Sequence, residues 1–283
     1  MNKSELKMKI DEYAIDLKYK EKAKNSIDSY IRYANLFISS IQHEHDITKD
    51  DTMFFKNYMI DVLEFSSATI NHVIVCMNKF LHFCNLDNLK VRQIKVQDEN
   101  TIDEIMTPTD FKRLLRYAKK LEMNDMYMIM KILAYTGIRI TELKFFTYEA
   151  VKSKKMYVVV RNKGKTRKVP IRQDLRTELL NYCKENNISE GYIFPSPKDK
   201  NKMPHRTTIY RRLKKIAGAA RVKKSLVYAH AFRHLFAVTY LSNGGNPLNL
   251  ANILGHYSIA TTEKYTKLTS VQLRKQMEQK IIY

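Results

Sequence analysis

The chain has little cysteine and no pattern in which to use it. Cys76, Cys84 and Cys183 are odd in number, show no CxxC spacing and have no matching histidine pair. That arrangement suits neither a disulfide framework nor a zinc site, so the three read as reduced core thiols. Long apolar runs are lacking too. Asn71, Lys79 and Lys131 interrupt the best of them before they reach the roughly 18 residues that a membrane helix needs. The opening MNKSELKMKIDEY lacks the apolar region of a signal peptide, and no P-loop, internal repeat or long low-complexity segment is found. A soluble intracellular protein is expected, without membrane partner, metal or nucleotide cofactor. Tryptophan is absent and lysine and asparagine are plentiful, a composition that suggests an AT-rich bacterial or phage genome.

Acidic residues are also scarce relative to basic ones. Fifty Lys+Arg face 29 Asp+Glu, a formal charge of +21, and the isoelectric point is near 9.7. Such an imbalance makes a polyanion the first partner to consider. Nucleic acid leads, ahead of a basic surface with no specific partner and of a membrane surface. His43, His45 and Asp46 in QHEHD sketch a metal site, but they run into a helix cap at Thr48 and read as a solvated loop.

At 283 residues, two domains are the natural expectation. Ile27, Tyr30, Ile31, Ala34, Phe37 and Ile38 recur at threes and fours, and a second series runs through Ile70, Ile74, Met77, Leu81 and Cys84. These predict a helical first domain over 1–88. A polar, poorly periodic linker follows at 89–104, and a second domain at 105–283. The second domain opens with Thr107 as N-cap, Pro108 at the first helical position, Asp110 in the first turn and Met106 able to staple onto Phe111. A helix over about 124–135 is broken by Gly137, and IRITELKFF then starts another, with Arg139 at its beginning.

The period next changes. MYVVV (156–160) and RKVPI (167–171) flank NKGK and predict a hairpin with Gly164 in the turn and Lys163 at the tip. Helical patterns resume at Asp174, and YIFPS (192–196) looks extended. The TIYRRLKKIAG helix carries Arg211, Arg212, Lys214 and Lys215, which either lie along a phosphate backbone or form a solvated face. The fold class is mainly α with a small antiparallel β-sheet.

HAFRHLFAV sets His230 and Arg233 on one face of a helix at i and i+3. LGHYSIATTEKY puts His256 after a glycine turn and Tyr265 nine residues on, while TGIRITEL and VRNKGKTRKVP supply Arg139 and Lys163. Taken singly, Tyr265 reads as a half-buried aromatic and Lys163 as a solvated turn residue. Their joint order and spacing give them another meaning. The windows resemble the motifs of the tyrosine recombinases, the phage integrase and Xer family, with all six positions filled. SYIRYANLFI and SATINHVIVCMNKFLHF resemble that family's helical core-binding (SAM-like) domain. One departure is Asn162, where many members carry glycine.

The resemblance implies a DNA strand-cleaving and rejoining enzyme. Arg139 and Arg233 would clamp the scissile phosphate, because fixed guanidiniums offset charge that grows on its oxygens. Tyr265 would attack phosphorus to give a 3′-phosphotyrosine. His230 would take the phenol's proton, Lys163 would protonate the departing 5′-oxygen, His256 would hydrogen-bond the phosphate and Glu142 would orient Arg139. Arg206, Arg211, Arg212, Lys214, Lys215, Lys165 and Arg167 are the expected DNA contacts. Bond energy kept in the covalent link makes metal and ATP unnecessary.

The tail after Tyr265 has Leu273, Met277 and Ile281 at fours. In the family such a tail docks on a neighbouring protomer, implying a ring of four subunits on two duplexes and a Holliday junction; a tail that caps its own domain stays open. The expected partner is duplex DNA with paired sites, with accessory proteins possible and a cytoplasmic, nucleoid-associated location. The chain starts close to the core-binding domain, as in simple recombinases of mobile elements, phages or replicons. Integration, excision and resolution are not distinguished. Two alternatives remain, a type IB topoisomerase and an inactive DNA-binding architectural protein.

Overall fold

The computed structural model describes residues 1–95, 105–162, 164–255 and 278. The chain divides into two compact units, Met1–Asp98 and Glu99–Tyr283. Among the described residues no helix is long and apolar enough to cross a membrane.

Among the described residues the first unit contains four α-helices, α1 (Lys3–Tyr19), α2 (Lys24–Ser40), α3 (Lys49–Asp61) and α4 (Ser67–Phe83). Their starts are written in the sequence. Asn2 and Glu5 form a reciprocal capping box before α1, and the Asp51 carboxylate accepts the Thr48 backbone N–H at 2.7 Å before α3. Each helix turns a stripe inward: Leu6, Tyr13 and Leu17 from α1, Phe37 and Ile38 from α2, Phe55 and Met59 from α3, and Ile74, Met77 and Phe80 from α4. Tyr13 meets Phe80 at 5.3 Å between ring centroids and Phe37 meets Phe55 at 5.4 Å. Each buried phenylalanine contributes about 2 to 3 kcal/mol of hydrophobic stabilisation.

Residues 89–95, which read as linker in the sequence, are instead tied to this unit. Leu89 and Val91 are buried. Asn78 exchanges two hydrogen bonds with the Val91 backbone (2.9 and 3.1 Å), and Asn71 does the same with Ile94 (2.9 and 2.7 Å). Side-chain amides on α4 thus pair an otherwise edge-less extended segment, which apolar periodicity does not reveal. The rest of the expected linker, 96–104, lies outside the described residues.

His43, His45 and Asp46 do not assemble a metal site. His43 is hydrogen-bonded to Asp51 at 2.7 Å and stacked on His45 at 3.5 Å, and among the described residues no group of potential ligands could hold an ion. The three cysteines are buried and not bonded to one another, and desolvation pushes each thiol up to about 11.

The second unit is built around one helix. In order come α5 (Pro108–Lys120), α6 (Asn124–Thr136), a 3-10 helix (Ile140–Phe145), α7 (Tyr148–Lys152), β1 (Tyr157–Asn162), β2 (Lys165–Pro170), α8 (Gln173–Glu185), α9 (Arg206–Ala219), α10 (Ala229–Ser242) and α11 (Pro247–Leu254). α6 is buried almost all round, from Met126 to Thr136, and packs against α5, α8, α9 and α10. Even Lys131 is buried within it, with its ammonium 2.6 Å from Glu178 and over the rings of Tyr127 and Tyr135. The expected start of α5 is present as a capping box between Thr107 and Asp110, and Met106 and Phe111 share one core.

β1 and β2 form an antiparallel hairpin in which Val160 pairs with Arg167 and Asn162 with Lys165. Gly164 has φ 75° in its turn, a left-handed conformation that glycine adopts without strain. The helix expected in IRITELKFF is present from Ile140 to Phe145 with Arg139 as its N-cap, and it is wound as a 3-10 helix. Its bonds run from Glu142 N–H to the Arg139 carbonyl (2.8 Å) and from Phe146 N–H to the Leu143 carbonyl (3.0 Å). Ile140 and Thr141 are β-branched, poor residues for an α-helical first turn, and the tighter winding is suited to a short connector.

Candidate active site

α6 ends at Gly137, whose φ of 63° gives the helix a left-handed cap. A Cβ there would lie 2.5 Å from Phe236 on α10 and 2.7 Å from Leu254 on α11. Glycine is therefore needed twice over, for its conformation and because three elements converge on this turn. Arg139 follows as the N-cap of the 3-10 helix, with an extended backbone and a side chain one-third exposed at 33%.

Glu142 anchors this turn from inside. Its side chain is 1% exposed. Oε2 accepts from the Arg139 backbone N–H at 2.9 Å and from Arg167 Nη2 at 2.8 Å. Oε1 accepts from Arg167 Nη1 at 2.9 Å, Arg139 Nη1 at 3.2 Å and Asn162 Nδ2 at 3.2 Å. Burial alone would raise its pKa. The Arg167 guanidinium, the Arg139 N–H and Asn162 outweigh that and hold the carboxyl down at about 2. Glu142 is thus a permanent anion that fixes two arginines.

Arg233, on α10, is 1% exposed. Nη1 donates to the Gly137 carbonyl and Nη2 to the Leu254 carbonyl, both at 2.8 Å. The fork of one guanidinium thus ties the turn after α6 to the end of α11. Leu254 is the last residue of α11, where helical carbonyls lack partners within the helix. Arg167 reaches the adjacent carbonyl, donating from Nε to Ile253 at 2.8 Å. Two cations therefore meet the negative end of α11.

His230 sits one turn before Arg233 and keeps an exposed edge. Desolvation of the ring, then the positive charges of Arg233 and Arg139, lower its pKa from 6.5, so the imidazole is neutral at pH 7. His234 lies edge-on to it at 4.6 Å, and burial with the neighbouring His230 and Arg233 pushes its own pKa down to about 4. The described part of the site is thus a positive patch with a neutral base at its rim, suited to stabilising anionic oxygens and accepting a proton. A mostly apolar cavity of about 740 Å³, lined by Phe111, Leu115, Tyr135, Phe236 and Tyr240 among others, contains none of these groups.

Of the residues singled out by sequence, Arg139, Glu142, His230 and Arg233 come together. Lys163, His256 and Tyr265 lie outside the described residues, although the flanking positions Asn162, Gly164 and Gly255 are described. Two of the expected DNA contacts are engaged within the protein. Arg167 is 15% exposed and committed to Glu142 and Ile253. Arg212 forms a bidentate pair with Asp125, one arm at 2.6 Å. Lys214 donates to the Lys224 carbonyl and lies over Tyr210, whereas Lys165, Arg206, Arg211 and Lys215 are exposed.

Sequence reasoning misses the inward role of Arg167, but strand parity carries the signal: it alternates with Thr166 and Lys168 and shares a face with buried Val169. Asn162, which reads in the sequence only as a departure in the turn, supplies one of the Glu142 hydrogen bonds.

Residues 104–271 match the phage integrase family. The tyrosine recombinase XerA of Pyrococcus furiosus is 28% identical over 272 residues, spanning 95% of this chain and 92% of that protein. The TnP I resolvase of Bacillus thuringiensis is 24% identical over 281 residues, 93% of this chain and 96% of that one. Among solved structures, the Tn1549 transposon integrase in complex with circular intermediate DNA superposes with a TM-score of 0.75 at 19% identity, covering 99% of each chain. A XerA recombinase crystal structure gives 0.56 at 26% identity, again over 99% of both. With Glu142 fixing Arg139 on the 3-10 turn, with Arg233 of α10 bonded to the Gly137 carbonyl just before it, and with more than half its length matching the family, this chain belongs to the phage integrase family of tyrosine recombinases.

Proposed function

We propose that this protein is a site-specific recombinase that cuts and rejoins duplex DNA through a 3′-phosphotyrosine on Tyr265. The observation that carries the reading is the convergence of positive charge on His230, from Arg233 on its own helix and from Arg139 on the 3-10 turn. A phosphodiester needs that combination, because its oxygens gain negative charge as the nucleophile arrives. Arg139 and Arg233 stabilise those oxygens, and loss of either costs about 3 to 4 kcal/mol of transition-state stabilisation.

In the cleavage step the Tyr265 phenol oxygen bonds to phosphorus and the bond from phosphorus to the 5′-oxygen breaks. The phenol's proton passes to neutral His230, and Lys163 gives a proton to the departing oxygen. His256 donates a hydrogen bond to the phosphate. Rejoining reverses these transfers with a different 5′-hydroxyl, so energy stored in the phosphotyrosine drives it.

The first unit serves as the core-binding domain and the second as the catalytic domain, with Arg206, Arg211, Lys215 and Lys165 on the DNA backbone. Four copies act on two sites through a Holliday junction, with the tail after Tyr265 docking between copies. The relatives support this: one is named a resolvase and another a transposon integrase, and one lambda integrase structure is a tetramer bound to a Holliday junction. A cytoplasmic, nucleoid-associated protein serving a mobile element, phage or replicon fits this role.

Denaturing capture of protein-linked DNA from cells tests the proposal. One short inverted-repeat site, recovered with wild type and lost with Tyr265→Phe, is the expected result. Scattered recovery that still needs Tyr265 would replace this reading with a topoisomerase, and equal binding with no covalent product would replace it with an inactive DNA-binding protein.

A further inference from the structure

Arg167 is the one described side chain that joins the hairpin, the 3-10 turn and the end of α11. Its Nη1 and Nη2 take both oxygens of Glu142 at 2.9 and 2.8 Å, while Nε takes the Ile253 carbonyl at 2.8 Å. These three segments lead in sequence to Lys163, Arg139 and His256. The neighbouring backbone leaves the guanidinium little room: a Cβ added at Gly255 would lie 2.9 Å from Arg167 Cδ and Nη1. Its direction follows from the strand, since Arg167 pairs with buried Val160 and lies on the inward face with Val169.

On the reading that this site cleaves DNA, we propose that Arg167 is a positioning residue, which fixes the Lys163 hairpin and the segment before His256 against the turn that carries Arg139. The forked head is what such a junction needs. A lysine could reach one oxygen of Glu142 or the Ile253 carbonyl, but a single ammonium cannot span all three acceptors in a plane. Charge at this position is therefore insufficient; geometry decides.

The test compares wild type, Arg167→Lys, Glu142→Gln and the double variant on a nicked duplex of the site recovered by covalent capture. Two quantities are read, the single-turnover rate of adduct formation and the Kd for the same duplex. Arg167→Lys is expected to slow adduct formation roughly 10- to 100-fold, as loss of an orienting partner does, with Kd within about twofold of wild type because no phosphate contact is removed. Adding Arg167→Lys to Glu142→Gln should cost less than the two separate effects combined, since the two residues share two hydrogen bonds, but more than Glu142→Gln alone, since the bond to Ile253 belongs to Arg167 only.

A wild-type rate in Arg167→Lys overturns the proposal. So does a weakened Kd whose dependence on salt has fallen by about one phosphate contact, which would return Arg167 to the DNA surface. If Arg167→Lys loses its fold, by circular dichroism, and binding and cleavage fall together, its role is structural and the proposal fails. If wild type forms no adduct, the cleavage reading itself falls and takes this one with it; an active wild type beside an unaffected Arg167→Lys sinks the positioning role alone.

Discussion

Arg233 donates to the carbonyl of Gly137 at 2.8 Å, so a side chain on α10 holds the turn from which Arg139 departs. The second bond of the same guanidinium, to Leu254, holds the turn before His256. Chemistry and architecture are combined in one residue.

Arg233→Ala therefore loses more than activity. Two buried carbonyls are left without their donor, at about 1 to 3 kcal/mol each. Urea unfolding should show stability lowered by about 2 to 6 kcal/mol, whereas Arg139→Ala, at a partly exposed position, should change it by less than ~1 kcal/mol. Equal and small losses for both variants would contradict the buried clasp.

Glu142 sets an acid limit on stability. Its carboxyl titrates near 2 when folded, against an ordinary 4.5. The folded pKa is depressed, so the stabilisation is complete above 4.5 and is lost as pH falls from there towards 2. The difference amounts to about 3 kcal/mol. Glu142→Gln should remove that part of the acid dependence in denaturation curves measured between those limits, and curves parallel to wild type would refute the assignment.

His230 gives the cleavage rate an acid limb. Because its pKa is lowered from 6.5, the imidazole stays neutral through pH 7 and takes on a proton only below 6.5. The adduct-formation rate should hold steady above that value and decline below it, as the acceptor for the phenol's proton is filled. His230→Ala should be slower at all pH values and should lack the decline. Persistence of the same limb in that variant would assign it to another group.

The elements of this site are unequally legible in the sequence. The hairpin is plain, since β-branched runs flank a glycine turn, and α5 announces itself through Thr107, Pro108 and Asp110. The 3-10 turn is not. IRITELKFF has a helical spacing of apolar residues, which does not tell 3-10 from α winding, and the carboxylate that anchors the turn is held by a strand that is distant in sequence. Arg167 misleads for a related reason: charge suggests solvent and DNA, and only its pairing with Val160 turns it inward. Arg212 likewise looks like one of a row of basic residues until Asp125, on α6, faces it.

Salt dependence of DNA binding separates those basic residues. Removing a single phosphate partner lowers the slope of log K against log salt by about 0.9. Arg211→Ala, at an exposed position, should show that reduction. Arg212→Ala, whose guanidinium is held by Asp125, should leave the slope unchanged and instead lower thermal stability. Titrations at several salt concentrations decide it; equal slopes for the two variants would mean that the α9 surface does not meet DNA as proposed.

Gly137→Ala places a methyl group where Phe236 and Leu254 already stand, in a left-handed backbone. Overpacking of this kind costs about 1 to 3 kcal/mol, and the strained turn adds roughly another 1 kcal/mol. A fall in stability accompanied by slower adduct formation is expected, because the displaced carbonyl is the one that Arg233 holds. Wild-type stability would show that the three elements do not converge there.

The last two carbonyls of α11 are each held by a guanidinium from a different element, Arg167 from β2 and Arg233 from α10. A helix end usually frays one residue at a time. Here, unwinding the final turn would release both arginines together, uncoupling Glu142 on one side and Gly137 on the other. Opening of the α11 end would therefore be a single cooperative event, in which the contacts of Arg167 and Arg233 are lost as a pair.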